Sequence, residues 1–348
     1  MDALRSGPLS WIQPPRSEPA AGREEGIDVD VVVIGSGVIG LTTALRLQEK
    51  GLRVVVVTAD GLLSTASAVA AAVWYPVGVA AGDRVAGWSA ATFAVLARQA
   101  EDGVPGVVMR DTWMLALGRQ PEEVPWWGAA VPDLRRLEPA ELAPAYADGW
   151  RFTAPTVEMP LYLPWLLGRF LDNGGDLVHR RLDTLHQAGA WAPVVVNASG
   201  LGARQLCGDP AMRPVRGQLV LVRNPGLRAS LRIQDDPAGY TYVHPRSGDV
   251  VLGGTFEEED WGLGSDPETA AAILARCAVH VPELREAEVI GHPVGLRPDR
   301  RGGVRLEAEA AGPAGTPVVH NYGHGGAGVT LSWGCADEAA ELAATAVG

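Results

Sequence analysis

The fold is set by the segment Val29-Asp30-Val31-Val32-Val33-Ile34-Gly35-Ser36-Gly37-Val38-Ile39-Gly40. Its first half, Val29 to Ile34, is rich in β-branched apolar residues, as expected for a strand buried on both faces of a parallel sheet. Residues 41–50 predict a helix that stops at Gly51. Arg53 to Val57 predicts a second buried strand, so the segments form one complete β-α-β unit with a glycine-rich turn.

The spacing of the three glycines predicts a site for the phosphates of a dinucleotide. Gly35 allows a tight turn, Gly37 lets the backbone approach a pyrophosphate, and Gly40 permits close packing of helix and strand. The helix N-terminus offers free N–H groups and the positive end of its dipole. Asp60 follows Gly40 at about the distance of 20 residues expected for the acidic ribose ligand. The glycines could instead form only a turn, but the strand-helix-strand context favours nucleotide binding.

Composition excludes several classes of protein. The chain has 348 residues, of which 47% are hydrophobic, so two domains with a substantial core are expected. A net charge of −12 argues against nucleic-acid or anionic-membrane partners. The three cysteines are far apart and form no C-x-x-C pair, which favours reduced thiols over disulfides or a metal site. No apolar run reaches the roughly 18 residues of a membrane span, so a cytoplasmic protein is expected.

The remaining sequence alternates between helical and strand patterns. Residues 1–27 are rich in Pro, Gly, Arg and Glu, lack the apolar core of a signal peptide, and predict a flexible tail. Further helices are predicted at residues 88–102 and 160–172, from a cap at 265–268 to about 280, and at 332–346. Between residues 103 and 150 short strands and loops are expected. Later strands are predicted at residues 218–222, 240–244, 249–253, 288–297 and 317–322.

These patterns predict an α/β fold in which a Rossmann-like nucleotide-binding domain is interleaved with an antiparallel-sheet α+β substrate-binding domain. The first domain is expected at residues 28–78, 155–214 and 295–348, and the second at 79–154 and 215–294. An NAD dehydrogenase would usually continue with further parallel strands. Here the small-residue segment Leu63 to Pro76 follows instead, and this interruption favours FAD.

Four segments resemble the D-amino-acid oxidase family. Asp30 to Leu41 is similar to its dinucleotide fingerprint, and Ala70 to Pro76 to the loop that covers its flavin. Gly295-Leu296-Arg297-Pro298 resembles the segment that carries its substrate arginine. His320 to Ala336, which contains His324-Gly325-Gly326-Ala327-Gly328, is similar to its C-terminal flavin motif. The order and spacing of the segments agree over about residues 28–346.

The resemblance implies a non-covalent FAD and the oxidative deamination of neutral or basic D-amino acids. A hydride would pass from Cα to flavin N5, and the products would be a 2-oxo acid, ammonia and hydrogen peroxide formed from dioxygen. Arg297 and Tyr242 would bind the substrate carboxylate, and the carbonyl group of Gly326 would accept the amine. On composition alone, an arginine such as Arg297 is more often a solvated surface residue. No acid–base residue is required, since the protein aligns the C–H bond with the cofactor.

Four further residues are expected around the substrate. Tyr240 shares a strand face with Tyr242, although one of the two could be ordinary aromatic packing. Tyr75 stands where mammalian family members have a glutamine, and Phe256 where yeast-type members have a second tyrosine. Arg232 precedes the Tyr242 strand, in a loop that covers the substrate in relatives. If Arg232 faces inward it would accept an acidic side chain, and otherwise it is a surface arginine.

The glycine turn and the resemblance together assign a set of FAD-binding residues. They are Gly35, Ser36, Gly37, Val38, Ile39, Gly40, Asp60, Thr65, Ser67, Ala70, Ala71, Ala72, Ser199, Gly200, Gly325, Gly328, Val329 and Thr330. Backbone N–H groups of residues 325–330 and the Thr330 hydroxyl would stabilise negative charge on the reduced ring. His324 could equally be a structural histidine.

Four alternatives stay open at this point. A D-aspartate oxidase differs in the role of Arg232, and a glycine or sarcosine oxidase would use the same arginine anchor. A non-catalytic nucleotide-binding module would need neither Arg297 nor Tyr242. An NAD dehydrogenase would be colourless and depend on pyridine nucleotide. The expected partners are a D-amino acid and dioxygen, and a homodimer is one option for the assembly.

Overall fold

The valine-rich strands of the β-α-β unit form the centre of a largely parallel sheet. The later segments, in which apolar and polar residues alternate, form a second, largely antiparallel sheet. These features come from a computed structural model that describes residues 29–76, 78–120, 124–312 and 315–348. The predicted flexible tail, residues 1–27, lies outside the described residues.

Sixteen strands and eight α-helices are described. The strands are β1 (Val31–Ile34), β2 (Val54–Thr58), β3 (Val107–Ala116), β4 (Arg135–Arg136), β5 (Asp148–Val157), β6 (Asp176–His179), β7 (Val194–Asn197), β8 (Met212–Arg223), β9 (Ser230–Gln234), β10 (Thr241–Pro245), β11 (Asp249–Gly253), β12 (Glu257–Glu258), β13 (Val289–Gly291), β14 (Val294–Arg300), β15 (Arg305–Glu309) and β16 (Val318–Tyr322). The helices are α1 (Val38–Glu49), α2 (Ala66–Val69), α3 (Asp83–Glu101), α4 (Met159–Asp172), α5 (Leu185–Ala188), α6 (Ala203–Leu206), α7 (Pro267–His280) and α8 (Gly328–Val347).

The first sheet has six strands in the order β15-β16-β7-β1-β2-β6. All neighbours are parallel except β15 and β16. Every residue of β1 and β2 is buried, because helices cover the sheet and valine suits a strand enclosed on both faces. Helix α1 packs against α8 and α4. The carboxyl ends of β1, β2 and β7 therefore meet at one edge of the sheet.

The second sheet follows the order β12-β8-β11-β10-β9-β3-β5-β4, and β13 and β14 also pair with β8. Its strands are antiparallel except for β3 and β9. One face is covered by α7, whose apolar side chains pack on β8, β10 and β11. The other face turns toward the first sheet, and a single apolar cluster joins the two. In that cluster the buried Trp74 meets Phe93 edge-on at 5.0 Å and Trp127 at 6.0 Å between ring centroids.

The predicted α/β class, with a Rossmann-like unit interleaved with an antiparallel sheet, is confirmed. Several element predictions need correction. The last helix begins at Gly328 instead of residue 332, and the single strand predicted at 288–297 is two strands, β13 and β14. The segment predicted as short strands and loops contains the ten-residue strand β3. The short-range patterns missed the length of β3 and the division into β13 and β14 because pairing with distant strands creates these features.

Three strands cross the predicted domain boundaries. Strand β5 spans residue 155, β8 spans residue 215, and β14 spans residue 295. Strand β14 pairs with β8 from Met212 to Gln218, within the second sheet. The division into domains therefore stays a prediction. Within the described ranges, no helix combines the length and apolar character needed to cross a bilayer.

Candidate active site

A cavity of about 550 Å³ lies at the carboxyl edge of the first sheet and extends to the second. Its wall begins at the glycine turn after β1 and includes the ends of β2 and β7. At its other end it reaches Tyr242 on β10 and Arg297 on β14. Ligands of open α/β sheets bind in such a crevice, outside the carboxyl ends of the strands.

The glycine turn at one end of the cavity leaves no room for side chains. Gly35 has φ +105°, and a Cβ there would lie 2.6 Å from the Ala198 carbonyl oxygen. A Cβ on Gly40 would lie 1.9 Å from the Gly35 carbonyl oxygen. Gly40 therefore lies behind the turn rather than in the cavity wall, and its absent side chain lets α1 start close to β1.

The first turn of α1 faces the cavity. Its N-cap Gly37 provides no side-chain hydrogen bond, so the first N–H groups depend on other partners. The Val38 N–H donates to Ser67 Oγ at 3.0 Å. The Ser67 hydroxyl keeps its own proton to donate, and the Ser36 hydroxyl lies 2.9 Å from that of Thr58. This arrangement suits a phosphate group.

A second helix N-terminus, that of α8, faces the same cavity. Residues 325–327 form a short turn before it, and no acidic side chain lies in its first turn. The Thr330 hydroxyl donates to the Tyr75 carbonyl oxygen at 2.9 Å and accepts from the Tyr75 N–H at 3.1 Å. Its proton is engaged by the protein in this structure, and the expectation that this hydroxyl stabilises the reduced flavin stays a prediction. The backbone N–H groups of the first turn of α8 stay available.

Asp60, the predicted ribose ligand, lies in the cavity wall just after β2. Its Oδ1 atom is 3.2 Å from Nη2 of Arg181, and both side chains are exposed. Arg181 is not among the residues expected from the sequence, because it lies far along the chain from Asp60. The other predicted FAD-binding residues in the wall are Gly35, Ser36, Gly37, Val38, Ile39, Thr65, Ser67, Ala70, Ala71, Ala72, Ser199, Gly200, Gly325, Gly328, Val329 and Thr330.

Arg297 holds a guanidinium group that no described carboxylate neutralises. Its Nη1 donates to the carbonyl oxygens of Arg216 and Thr255, each at 3.2 Å. The group lies over Gly217, where a Cβ would come within 2.4 Å of Nη2. These backbone contacts hold the planar fork in the cavity wall, ready for an anionic ligand.

Tyr242 lies across from Arg232 and Gly253 in the register of β9, β10 and β11. It is 4% exposed, and no described residue hydrogen-bonds to its hydroxyl. Burial raises the pKa of Tyr242 above its usual value, against the opposing effects of Arg297 and Arg232. The hydroxyl therefore stays protonated and can donate to a carboxylate.

Arg232 lies on strand β9 rather than in a loop, and it faces the cavity. It is 9% exposed, so it is not a surface arginine. Its Nη2 donates to the Tyr240 hydroxyl at 3.1 Å, and its guanidinium lies 4.2 Å above the Tyr75 ring. No carboxylate among the described residues pairs with it. A buried cation usually has an anionic partner. Because the described residues give Arg232 none, its positive charge stays unneutralised in the cavity.

The other predicted substrate residues divide into two groups. Tyr75, Tyr240 and Gly326 line the cavity, and the Tyr75 hydroxyl accepts from Gln234 Nε2 at 3.1 Å. Phe256 does not line it. This ring is 45% exposed and lies 5.1 Å from the Arg297 guanidinium, so it covers the arginine instead of contacting the cavity.

Two histidines line the cavity. His324 is buried, and burial lowers its pKa to about 3, so it is neutral near pH 7. His244 is also buried and is not among the site residues expected from the sequence. The alternation of β10 could have identified His244, since it follows Tyr240 and Tyr242 on one strand face. Among the described lining residues, Asp60 is the one carboxylate, so no carboxylate base lies near Arg297.

Residues 30–342 match the model of the DAO family, described as FAD dependent oxidoreductase. The chain belongs to this family. The protein is therefore an FAD-dependent oxidoreductase, and FAD is its cofactor. The cavity fits such a cofactor, because two helix N-termini and the turn at Gly35 and Gly40, which admits no Cβ, surround it.

Relatives within the FAD dependent oxidoreductases act on amino acids according to their names. A curated D-amino-acid oxidase of Rubrobacter xylanophilus is 51% identical over 316 residues, which are 91% of this chain and 96% of that protein. A curated D-aspartate oxidase of Homo sapiens is 38% identical over 330 residues, 91% of this chain and 95% of that protein. The solved structure of glycine oxidase from Geobacillus kaustophilus has a TM-score of 0.77 at 23% identity, covering 91% of this chain and 95% of that chain. This last likeness shows the fold alone.

Proposed function

We propose that the protein is a D-amino-acid oxidase, which converts a D-amino acid, dioxygen and water to a 2-oxo acid, ammonia and hydrogen peroxide. The observation that carries the proposal is that Arg297 and Tyr242 line the same cavity. Both groups face the cavity of an FAD-dependent oxidoreductase, and among the described residues neither has a side-chain hydrogen-bond partner. An arginine fork and a phenol donor match the α-carboxylate of an amino acid. The 51% identity to a curated D-amino-acid oxidase supports the stereochemistry.

The FAD would lie along the cavity from Asp60 to the α8 N-terminus. Its phosphates would meet the first turn of α1, its ribose would meet Asp60, and its ring would lie between residues 70–72 and residues 325–330. This placement favours the division into an FAD-binding domain of residues 28–78, 155–214 and 295–348. Residues 79–154 and 215–294 would then form the substrate-binding domain.

The residues of this chain would bind and orient the substrate. Arg297 and Tyr242 would hold the α-carboxylate, and the Gly326 carbonyl group would accept a hydrogen bond from the amine. These contacts fix Cα and its hydrogen relative to the ring, which is a positioning effect. Bound FAD supplies the hydride acceptor and the route of electrons to dioxygen. Because no described carboxylate lies near Arg297, the substrate amine must already be neutral when the Cα–H bond is oriented for hydride transfer.

A spectroscopic experiment tests the proposal. The purified protein should be yellow, and D-alanine should bleach its visible absorption under anaerobic conditions while L-alanine should not. Admission of air should restore the colour and produce hydrogen peroxide. A flavoprotein that glycine but not D-alanine bleaches would instead be a glycine oxidase, and one that none of D-alanine, D-aspartate and D-lysine bleaches would contradict the proposal.

Arg232 favours a second candidate, oxidation of acidic D-amino acids. A buried guanidinium without a carboxylate partner attracts an anionic side chain and repels a cationic one. D-aspartate would then react with a higher kcat/KM than D-alanine, and D-lysine with a lower one. The expectation of neutral and basic substrates predicts the opposite order for D-lysine and D-aspartate, so steady-state kinetics with the three substrates separates the candidates.

Substitution of Arg232 tests the same point. The variant Arg232→Met removes the charge and keeps most of the volume, so the ratio of kcat/KM for D-lysine over D-aspartate should rise at least about tenfold. The matched control Arg232→Lys keeps the charge and should preserve most of the native ratio. An unchanged ratio in Arg232→Met would exclude this residue from substrate selection.

A further inference from the structure

The ring of Tyr242 is enclosed on three sides. It extends across the sheet over Gly253, where a Cβ would lie 1.7 Å from the tyrosine Cζ. The edge of the Tyr240 ring meets it at 5.1 Å between centroids, with an interplanar angle of 79°. The third side is the flat face of His244, at 4.7 Å and 18°. The hydroxyl has no described partner, so packing of the ring sets its position.

His244 contributes a neutral ring to this packing. Burial, followed by the positive charges of Arg232 and Arg110, holds the pKa of His244 well below its usual range. The side chain is 2% exposed, and its Nδ1 atom has no hydrogen-bond partner among the described residues. A ring contact that the structure gives this imidazole is the stacked face of Tyr242. A planar ring restrains the tilt of another planar ring in a way that a branched aliphatic chain does not.

We infer that His244 is a positioning residue, which fixes the plane of Tyr242 by stacking and so places the Tyr242 hydroxyl beside Arg297 for the substrate carboxylate. This inference rests on the proposed function, because it concerns how the amino-acid carboxylate is bound. It goes further by assigning a role to a residue that does not itself bind the carboxylate. The position of the hydroxyl then depends on a ring two residues farther along the same strand.

Kinetics with D-alanine test the inference through a double-mutant cycle. The variant His244→Leu keeps an apolar side chain but loses the flat ring, so KM should rise about fivefold to tenfold while kcat stays within about twofold. His244→Phe restores a ring and should bring KM back to within about twofold of the native value. In a Tyr242→Phe background, which lacks the hydroxyl, His244→Leu should change KM by less than about twofold. An equal effect in both backgrounds, or a His244→Phe variant as impaired as His244→Leu, would overturn the inference.

A readout that needs no turnover separates this inference from the proposed function. The holoenzyme has six tyrosines, and Tyr242→Phe identifies the NMR signals of Tyr242 in protein labelled at the tyrosine rings. Stacking on His244 should shift these signals by ring current, His244→Phe should keep such a shift, and His244→Leu should abolish it. If the native protein fails to oxidise D-alanine but the shift behaves as expected, the proposed function fails and the stacking stands. Unshifted signals in the native protein would exclude the stack.

Discussion

Among single residues, Arg297 is the one on which we expect substrate binding to depend most. Strand β14 presents it to the cavity, and two backbone carbonyl groups hold its Nη1 at 3.2 Å. Because these acceptors are neutral dipoles, the positive charge of the guanidinium is left for a ligand. An arginine at the end of an apolar strand looks like a surface residue in the sequence, whereas its pairing with β8 places it beside Gly217.

Replacement of this guanidinium should abolish efficient turnover without loss of FAD. In Arg297→Met the kcat/KM for D-alanine should fall about 10²-fold to 10⁴-fold, because a charge-assisted pair in a water-poor site is lost. Arg297→Lys keeps the charge but not the planar fork, so its kcat/KM should lie between the native value and that of Arg297→Met. Steady-state kinetics, with the visible spectrum as the control for bound flavin, measures the effect. Native kcat/KM in Arg297→Met would show that the carboxylate binds elsewhere.

Among the elements, the start of α1 has no room for a side chain at Gly40. Gly40 lies in the first turn of this helix, directly behind the turn at Gly35. Helix α4 offers a contrast, because a Cβ added at its Gly168 meets no atom within 4 Å. The same substitution therefore has opposite consequences in the two helices.

Gly40→Ala should destabilise the protein by about 3 kcal/mol or more and abolish FAD binding, since the new Cβ displaces α1 from the phosphate site. Gly168→Ala should raise the free energy of unfolding by about 0.5–1 kcal/mol, because alanine restricts the unfolded chain and favours the helix. Chemical denaturation and flavin fluorescence measure both quantities. A Gly40→Ala variant that binds FAD as the native protein does would contradict the close packing of helix and turn.

For the molecule as a whole, the cavity joins the two sheets. Its wall takes residues from the first sheet and from β9, β10 and β14 of the second, and one apolar cluster runs beneath both. A ligand that fills the cavity therefore stabilises both parts of the structure together.

FAD should raise the Tm of the entire molecule in one cooperative transition. At a free FAD concentration of 100 times Kd, the added stability is about 2.7 kcal/mol. Differential scanning calorimetry of apoprotein and holoenzyme measures the shift, and ADP serves as a partial ligand that should give a smaller one. Two transitions, of which FAD moves only one, would show that the sheets unfold independently.

The local parts of the fold could be predicted from the sequence. The β-α-β unit from Val31 to Thr58, the glycine turn and strand β11 depend on periodicity and on backbone freedom at single positions. Such properties are encoded within a few residues, because the strand repeat, the helix repeat and the φ of a glycine are local quantities. The resemblance to a family added Arg297 and Tyr242, which no local pattern identifies.

The arrangement of the site came only from tertiary contacts. The inward direction of Arg232, the outward position of Phe256 and the engagement of the Thr330 hydroxyl by Tyr75 depend on segments distant in sequence. Each of these positions follows from strand register and from packing between the two sheets. A shift of one residue in register would turn the side chains of a strand to its other face, and nothing within the strand alone specifies that register.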